Sequence, residues 1–392
     1  MNIKQNLFFL LTFLLILSCN KDDNTTIGNS QNNPINPQNS QPERFISLTG
    51  GATTIGIKQN GTLWAWGKNV SGQMGNGLTS DYYYSFLPSK IGTDTNWKTV
   101  DYSGSSVIGI KTDGSLWRWG TVVDLTNLQN QFIAFPTRIG NDNDWKKVVG
   151  TSAYYIGIKE NGSLWGWGLD SYIGFGNSSN YHLLPILLNN GVWKEIAGGS
   201  NNSIALKNDG TLWSLGHNNC GQLGNGTQNF SSYTLTQIGT ASDWIYISAS
   251  GDSCFAIKAN GTLWAWGRNV YGQLGLGNTI DVFSPTQVGI AADWSIVSTS
   301  GSNSVFLKND GTIWGCGLYM KKFIGSTLNS ITETYSLVKL DNRNDWNSVI
   351  SADGAIYARK TNLDYWGIGY SYALGIANSD FYNLQMTPMT WN

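Results

Sequence analysis

The chain has 392 residues, 24 basic and 25 acidic side chains, and a formal net charge of −1. Charged residues are only 12% while hydrophobic ones reach 41%, which excludes a disordered chain. With charge so near balance there is no basic stripe for nucleic acid and no strong field to steer a partner.

In chain order, the first feature is an address. Lys4 precedes the apolar stretch Leu7–Leu17, which is too short to span a bilayer and right for a signal peptide. The stretch ends in Ile16-Leu17-Ser18-Cys19, which resembles a bacterial lipobox. The resemblance implies a signal peptide over 1–18, cleavage before Cys19 and lipid on its sulfur. It also implies that the membrane is contacted only through that lipid. Asn20-Lys21-Asp22-Asp23 resembles the export signal of surface lipoproteins in diderm bacteria. That implies the outer membrane and its cell-surface side, with a periplasm-facing placement as the alternative. From Cys19 to residue 43 the composition is Asn, Gln, Ser and Pro, that of a disordered tether.

From residue 44 to 392 one pattern recurs: apolar-Lys-x-Asn/Asp-Gly-Thr/Ser-Leu-Trp-x-Trp-Gly. It ends at Gly67, Gly120, Gly168, Gly216, Gly267, Gly317 and Gly367, at intervals of 53, 48, 48, 51, 50 and 50. Asn60-Gly61, Asp113-Gly114 and their counterparts predict two-residue type I′ hairpin turns with both residues at positive φ. In the strand that follows, Leu63 and Ala65 share one face and Trp64 and Trp66 the other. Both faces are apolar, so each sheet is wedged between neighbours. Gly72-Gln73-Met74-Gly75, Gly221-Gln222-Leu223-Gly224 and Gly272-Gln273-Leu274-Gly275 mark tight turns. Pro88, Pro136, Pro185 and Pro285 then each open a short strand. Each unit closes on Asp-Trp or a relative, at Trp97, Trp145, Trp193, Trp244, Trp294 and Trp346.

This combination resembles the regulator of chromosome condensation repeat family in its bacterial form. The resemblance implies an all-β fold: a seven-bladed β-propeller of four-stranded blades. The family often carries a histidine five residues before the Lys. Here those positions hold Thr53, Ser106, Tyr154, Asn202, Ser253, Asn303 and Asp353. The second unit lacks the Gly-Gln-Leu-Gly turn, and the seventh is degenerate, with Thr361-Asn362 at its turn and Asp364 for the first Trp. Arg44 aligns with Trp97, just after a proline strand, and Thr387-Pro388 aligns with that strand, which the N-terminus lacks. The ring is therefore expected to close by pairing of the N- and C-terminal strands in one blade, leaving few free edges.

The chemistry-bearing residues point away from catalysis. All 18 tryptophans fall in repeat slots, which marks them as core. Cys220, Cys254 and Cys316 form no C-x-x-C, so no zinc site is indicated; a Cys220–Cys254 bridge stays open. His182 and His217 are the only histidines and read as loop or turn residues, without the oriented base of a triad. The repeated Asp-Gly pairs lack the extra residue of a sialidase Asp-box, and the arginines are scattered rather than clustered for a carboxylate. Asn141-Asp142-Asn143-Asp144 lacks the Gly and distal Glu of a calcium loop. Gly367-Ile368-Gly369 is too short for a nucleotide fingerprint. No cofactor and no metal is indicated.

Variation carries more information than repetition. Between the glycine turn and the proline strand each unit differs: Tyr82, Tyr83, Tyr84 and Phe86 in the first; Tyr181 and His182 in the third; Phe230 and Tyr233 in the fourth; Phe283 in the fifth; Tyr319, Lys321, Lys322 and Phe323 in the sixth; Phe381 and Tyr382 in the seventh. If these emerge on one side they form a broken aromatic ring, suited to binding at low entropy cost. The expectation is a monomeric, non-enzymatic, surface-anchored scaffold that binds a protein of unknown identity through these loops. A glycan is the alternative ligand. A glycosidase or lyase, or a guanine-nucleotide exchange factor, ranks below both.

Overall fold

The computed structural model describes residues 43–79, 84–124, 129–173, 180–228, 231–318, 320, 334–376 and 382–391. The signal peptide, Cys19 and the tether up to residue 42 lie outside the described residues. Seven four-stranded antiparallel sheets make a seven-bladed propeller, and each blade is a run of consecutive strands. The blades span 45–91, 97–139, 145–189, 193–238, 244–287, 294–339 and 346–388.

In blade 1 the four strands are Phe45–Gly50, Thr53–Lys58, Leu63–Lys68 and Tyr84–Ile91. First strands line the central channel, and fourth strands form the rim. Up-and-down order puts the first-to-second turns and the third-to-fourth connections on one face, here the loop face. The second-to-third hairpins and the blade-to-blade connections share the opposite, hairpin face.

The hairpins differ from the type I′ expectation. Among the described residues only Leu363 has positive φ without being glycine, so Asn60 and its counterparts are not left-handed. Gly61 N donates to Lys58 O and Lys58 N to Thr62 O, the pattern of a three-residue loop with left-handed glycine last. Asn60 acts through its side chain: Oδ1 accepts from Thr62 N and from Thr62 Oγ1, and Thr62 Oγ1 in turn accepts from Trp64 Nε1 at 2.9 Å. The same relay runs through Asp113, Asn161, Asp209, Asn260 and Asp310. Glycine is also required sterically: a Cβ on Gly61 would lie 2.1 Å from Thr95 O of the next connection.

Beside each relay a lysine lies over two aromatic rings, both indoles except in blade 1, where Lys58 lies over Phe45 and Trp64. Lys111 Nζ is 3.6 Å from the Trp117 ring and 5.0 Å from Trp97, and pairs with Asp94 at 2.8 Å. Lys159 holds both Asp142 and Asp144, so that acidic run is structural. The repeated Lys, Asn/Asp, Thr/Ser, Trp and Asp are thus consumed on the hairpin face.

Three alignments shift. Phe45, not Arg44, takes the Trp97 position, since it pairs with Lys58 as Trp97 pairs with Lys111. In blade 7 the pattern ends at Gly369, not Gly367: Gly369 pairs with Ala355 as Gly67 pairs with Thr53. Trp366 is therefore the first Trp, Asp364 stands in the Thr62 position, and Ala355 replaces Asp353 at the histidine position. The prolines lie inside the fourth strands, at the register shift opposite the second Trp, where an edge strand dispenses with an N–H.

Closure is the largest correction. The terminal strands do not share a blade: the strand Tyr382–Pro388 pairs with Tyr365–Tyr370 inside blade 7, and Phe45–Gly50 stays in blade 1. The proline strand belongs to the strands preceding it, so no blade is left incomplete. Blades 1 and 7 are joined by side chains. Trp391 packs on Phe45, Trp66, Tyr357 and Tyr365, and donates to Leu374 O. Arg44 pairs with Asp364 at 3.0 Å, and Trp66 Nε1 donates to Ala373 O at 2.8 Å.

Candidate functional site

The loop face has a centre and a periphery. At the centre, first-to-second turns of all seven blades ring the channel mouth, a cavity of about 450 Å³. Its wall is mostly Gly, Ser and Thr, with Tyr102 and Asp353. Deeper, Asp101 accepts from Gly150 N at 2.9 Å, and burial raises its carboxyl to about 6. Lys147 and Glu195 form an ion pair between blades 3 and 4. Among the described residues no group of His, Cys, Asp and Glu is placed to hold a metal ion.

At the periphery the Gly-Gln-x-Gly turns act as staples between blades. Gln222 Oε1 accepts from Cys220 N, while its Nε2 reaches Asp252 of blade 5 at 2.9 Å. Gln222 O accepts from Trp266 Nε1, as Gln73 O does from Trp119. Gln273 O accepts from Cys316 Sγ at 3.1 Å. Cys254 donates to Gln222 O, so the thiols of Cys220, Cys254 and Cys316 are free and the optional bridge is not formed.

The candidate loop residues divide. Tyr82, Tyr83, Phe230, Tyr319, Lys321, Lys322, Phe323 and Phe381 lie outside the described residues, and Tyr233 and Tyr382 are placed by backbone alone. Tyr84 is 41% exposed, and its ring lies 4.9 Å from Tyr372 of blade 7. Phe86 is exposed beside it. Tyr181 is half-buried, and burial pushes its phenol up to about 12. His182 pairs with the buried Asp170 at 2.7 Å. Both histidines lie in strands rather than turns: His182 in Tyr181–Asn189, His217 in Leu212–His217 against the Tyr172 ring.

Phe283 is not free for a partner, because it covers Gly221 of the preceding blade; a Cβ there would meet its ring at 2.2 Å. Phe132 covers Gly72 and Tyr335 covers Gly272 in the same way. Exposed Phe132 and Phe135 were missed by sequence reasoning. Their signal was two aromatics in the four residues before Pro136, hidden because blade 2 has no glycine turn to mark its loop.

The fold is that of a propeller built from a known repeat. The regulator of chromosome condensation (RCC1) repeat matches at residues 60–108 and 260–307, and a second version of it at 46–73, 193–222 and 244–273. The matched segments fall in blades 1, 2, 4, 5 and 6. Human WBSCR16 is similar in structure, with a TM-score of 0.71 at 17% identity over 84% of this chain and 94% of that one. Prp20p of Saccharomyces cerevisiae has a TM-score of 0.70 at 16% identity over 88% and 87%. Yeast RCC1 (Prp20) bound by Kap60 has 0.69 at 18% over 83% of each chain. No curated protein matches the chain in sequence.

Proposed function

We propose that this protein is a non-catalytic, lipid-anchored scaffold on the outer membrane of a bacterium, and that it recognises a protein with the loop face of its propeller. The observation that carries this reading is the division between faces. The hairpin face repeats one set of contacts around the ring. The loop face receives a different connection from each blade, and aromatic side chains such as Tyr84, Phe86 and Phe135 stand exposed in the fourth strands those connections lead into. Rigid blades presenting variable loops are a general solution for binding. Prp20p, described with binding to Gsp1p and histones, supports a protein partner by analogy of fold. The anchor rests on Leu7–Leu17 and Cys19, and export makes nucleotide exchange on a nuclear GTPase a poor fit. A glycan stacking on Tyr84 and Phe86 is the second reading.

The test is capture from envelope extracts by the full chain, by Tyr84→Ser/Phe86→Ser, and by Ile290→Ser on the hairpin face, where Ile290 is 98% exposed. A protein held by the wild type and Ile290→Ser but lost by the double variant is expected. Equal capture by all three would refute a role for these loops. Capture of polysaccharide alone would replace the protein partner with the glycan.

A further inference from the structure

The first Trp of a blade and the lysine beside it have two neighbours: the connection that enters the blade and the blade's own fourth strand. In blades 2 and 3 the connection supplies an acid. Asp94 and Asp142, three residues before Trp97 and Trp145, hold Lys111 and Lys159 at 2.8 Å. At the same offset before Trp346 stands Arg343, whose guanidinium lies 4.1 Å from the Trp366 ring. The fourth strand supplies the other cover, two residues before the partner of the first Trp. Leu235, Leu337 and Met386 occupy that place in blades 4, 6 and 7, and each packs in a cluster with its own first Trp, namely Trp213, Trp314 or Trp366.

Blade 5 has neither device. Ala241 stands three residues before Trp244, and Pro285, preceded by Ser284, takes the fourth-strand place. Blades 2 and 3 also have proline there, but a large side chain precedes it, Phe135 or Leu184. Blade 6 shares the alanine, as Ala291, and fills the gap with Leu337. No other blade combines a small connection residue with Ser-Pro in the fourth strand.

A cavity of about 650 Å³ opens as a result at the outer side of the junction of blades 4 and 5, toward the hairpin face. Trp264, Ala241 and Pro285 line it. Trp264 is fixed there: its Nε1 donates to Thr262 Oγ1 at 3.0 Å, and its ring meets Trp244 edge-on at 5.7 Å. Polar groups share the wall. The side-chain amide of Gln237 and the hydroxyls of Thr240 and Ser284 line the cavity and have no hydrogen-bond partner among the described residues. Lys258 is the one charged side chain of the described lining, and Asp243 already holds it at 3.0 Å.

We propose that this cavity binds the ring of a neutral sugar. An aromatic and apolar wall with a few convergent polar groups is the design of a small-molecule site, and the volume falls in the range of such sites, roughly 300–1,000 Å³. A pyranose matches both halves of the wall. Its face of C–H groups lies against the Trp264 ring, and its hydroxyls exchange hydrogen bonds with Gln237, Thr240 and Ser284. With Lys258 held by Asp243, the wall presents no unpaired charge for an acid or an amine. The site lies away from the loop face, so it rests neither on protein recognition there nor on a glycan at Tyr84 and Phe86.

The test is isothermal titration of the full chain with the methyl glycosides of D-glucose, D-galactose, D-mannose and N-acetyl-D-glucosamine. D-glucuronate is the charged counterpart and D-glucitol the open-chain one. At least one glycoside is expected to bind saturably, and glucuronate and glucitol at least tenfold more weakly. Ala241→Arg, which copies the cover that Arg343 gives blade 7, is expected to lose at least tenfold in affinity. Gln237→Ala removes one hydrogen-bonding partner, for a loss of about threefold; it serves if Ala241→Arg loses its native near-ultraviolet circular dichroism. Tyr84→Ser/Phe86→Ser is expected to bind as the wild type does. The proposal is overturned if no glycoside binds the folded chain, or if glucuronate or glucitol binds as tightly. It is equally overturned if the folded cavity variants keep wild-type affinity, or if the loss appears in Tyr84→Ser/Phe86→Ser instead.

Discussion

Replacing Trp391 by alanine isolates the closure of the ring. Its ring centroid lies 5.1 Å from Phe45, 5.3 Å from Trp66, 6.1 Å from Tyr357 and 5.9 Å from Tyr365, and its Nε1 donates to Leu374 O at 2.9 Å. Phe45 and Trp66 belong to blade 1, the others to blade 7, so one side chain spans the seam. A core Trp→Ala change costs about 3–5 kcal/mol. Trp391 is only half-buried, which brings the expectation to the lower end, about 3 kcal/mol. Trp391→Phe keeps most ring contacts and loses the N–H bond, for about 1 kcal/mol. Urea unfolding of the full chain, followed by circular dichroism, reads both, with Ile290→Ala as the silent control. If Trp391→Ala unfolds within 0.5 kcal/mol of wild type, about the scatter of a silent surface change, packing of Trp391 does not close the ring.

Further outcomes follow from the same contacts. Gly261→Ala forces a Cβ at φ +80° to within 2.2 Å of Ala292 O, and should cost about 2 kcal/mol or more in urea unfolding. Leu363→Gly, at φ 69°, should instead stabilise by up to about 1 kcal/mol. Trp266→Phe loses its bond to Gln222 O and should destabilise by about 1 kcal/mol, while Trp167→Phe removes an unpartnered N–H and should be neutral or stabilising. The Asp101 carboxyl sits at about 6 in the fold against 3.8 unfolded, so the native state holds the extra proton between those values. Stability from this group is therefore fully present below about pH 4, falls as pH rises to about 6, and stays lower above it. Asp101→Asn should flatten that slope in melting temperature measured across pH 3.5–7; an unchanged slope would assign it to other groups.

Much of this architecture was legible in residue order. The spacing of Trp-x-Trp-Gly counts the blades, and the Asn/Asp-Gly pairs locate the hairpins, because a left-handed position selects glycine locally. The third-to-fourth connections could also be placed on one face, because antiparallel order alone decides which end a loop leaves. Tyr84, Phe86, Tyr181 and His182 were singled out by the variation of these segments from unit to unit. Two-residue turns were inferred wrongly for Asn60 and its counterparts. Their value lies in a side-chain relay to Thr62 and Trp64, which spacing shows but does not explain.

The tertiary structure decided what depends on contacts between distant residues. Whether Thr387-Pro388 completes blade 1 or blade 7 is a choice between two registers of equal local sequence quality. Packing chose blade 7 and left Trp391 to seal the seam. That Phe283 covers Gly221, and that Ala241, Ser284 and Pro285 leave a cavity beside Trp264 at one junction, follows from blades meeting side by side. The period of a repeat is set by each unit alone, so sequence determined the number and plan of the blades. The fit between units is set by side chains meeting backbone carbonyls about 45 residues away in the chain. Only the folded ring shows which of those pairs are complete.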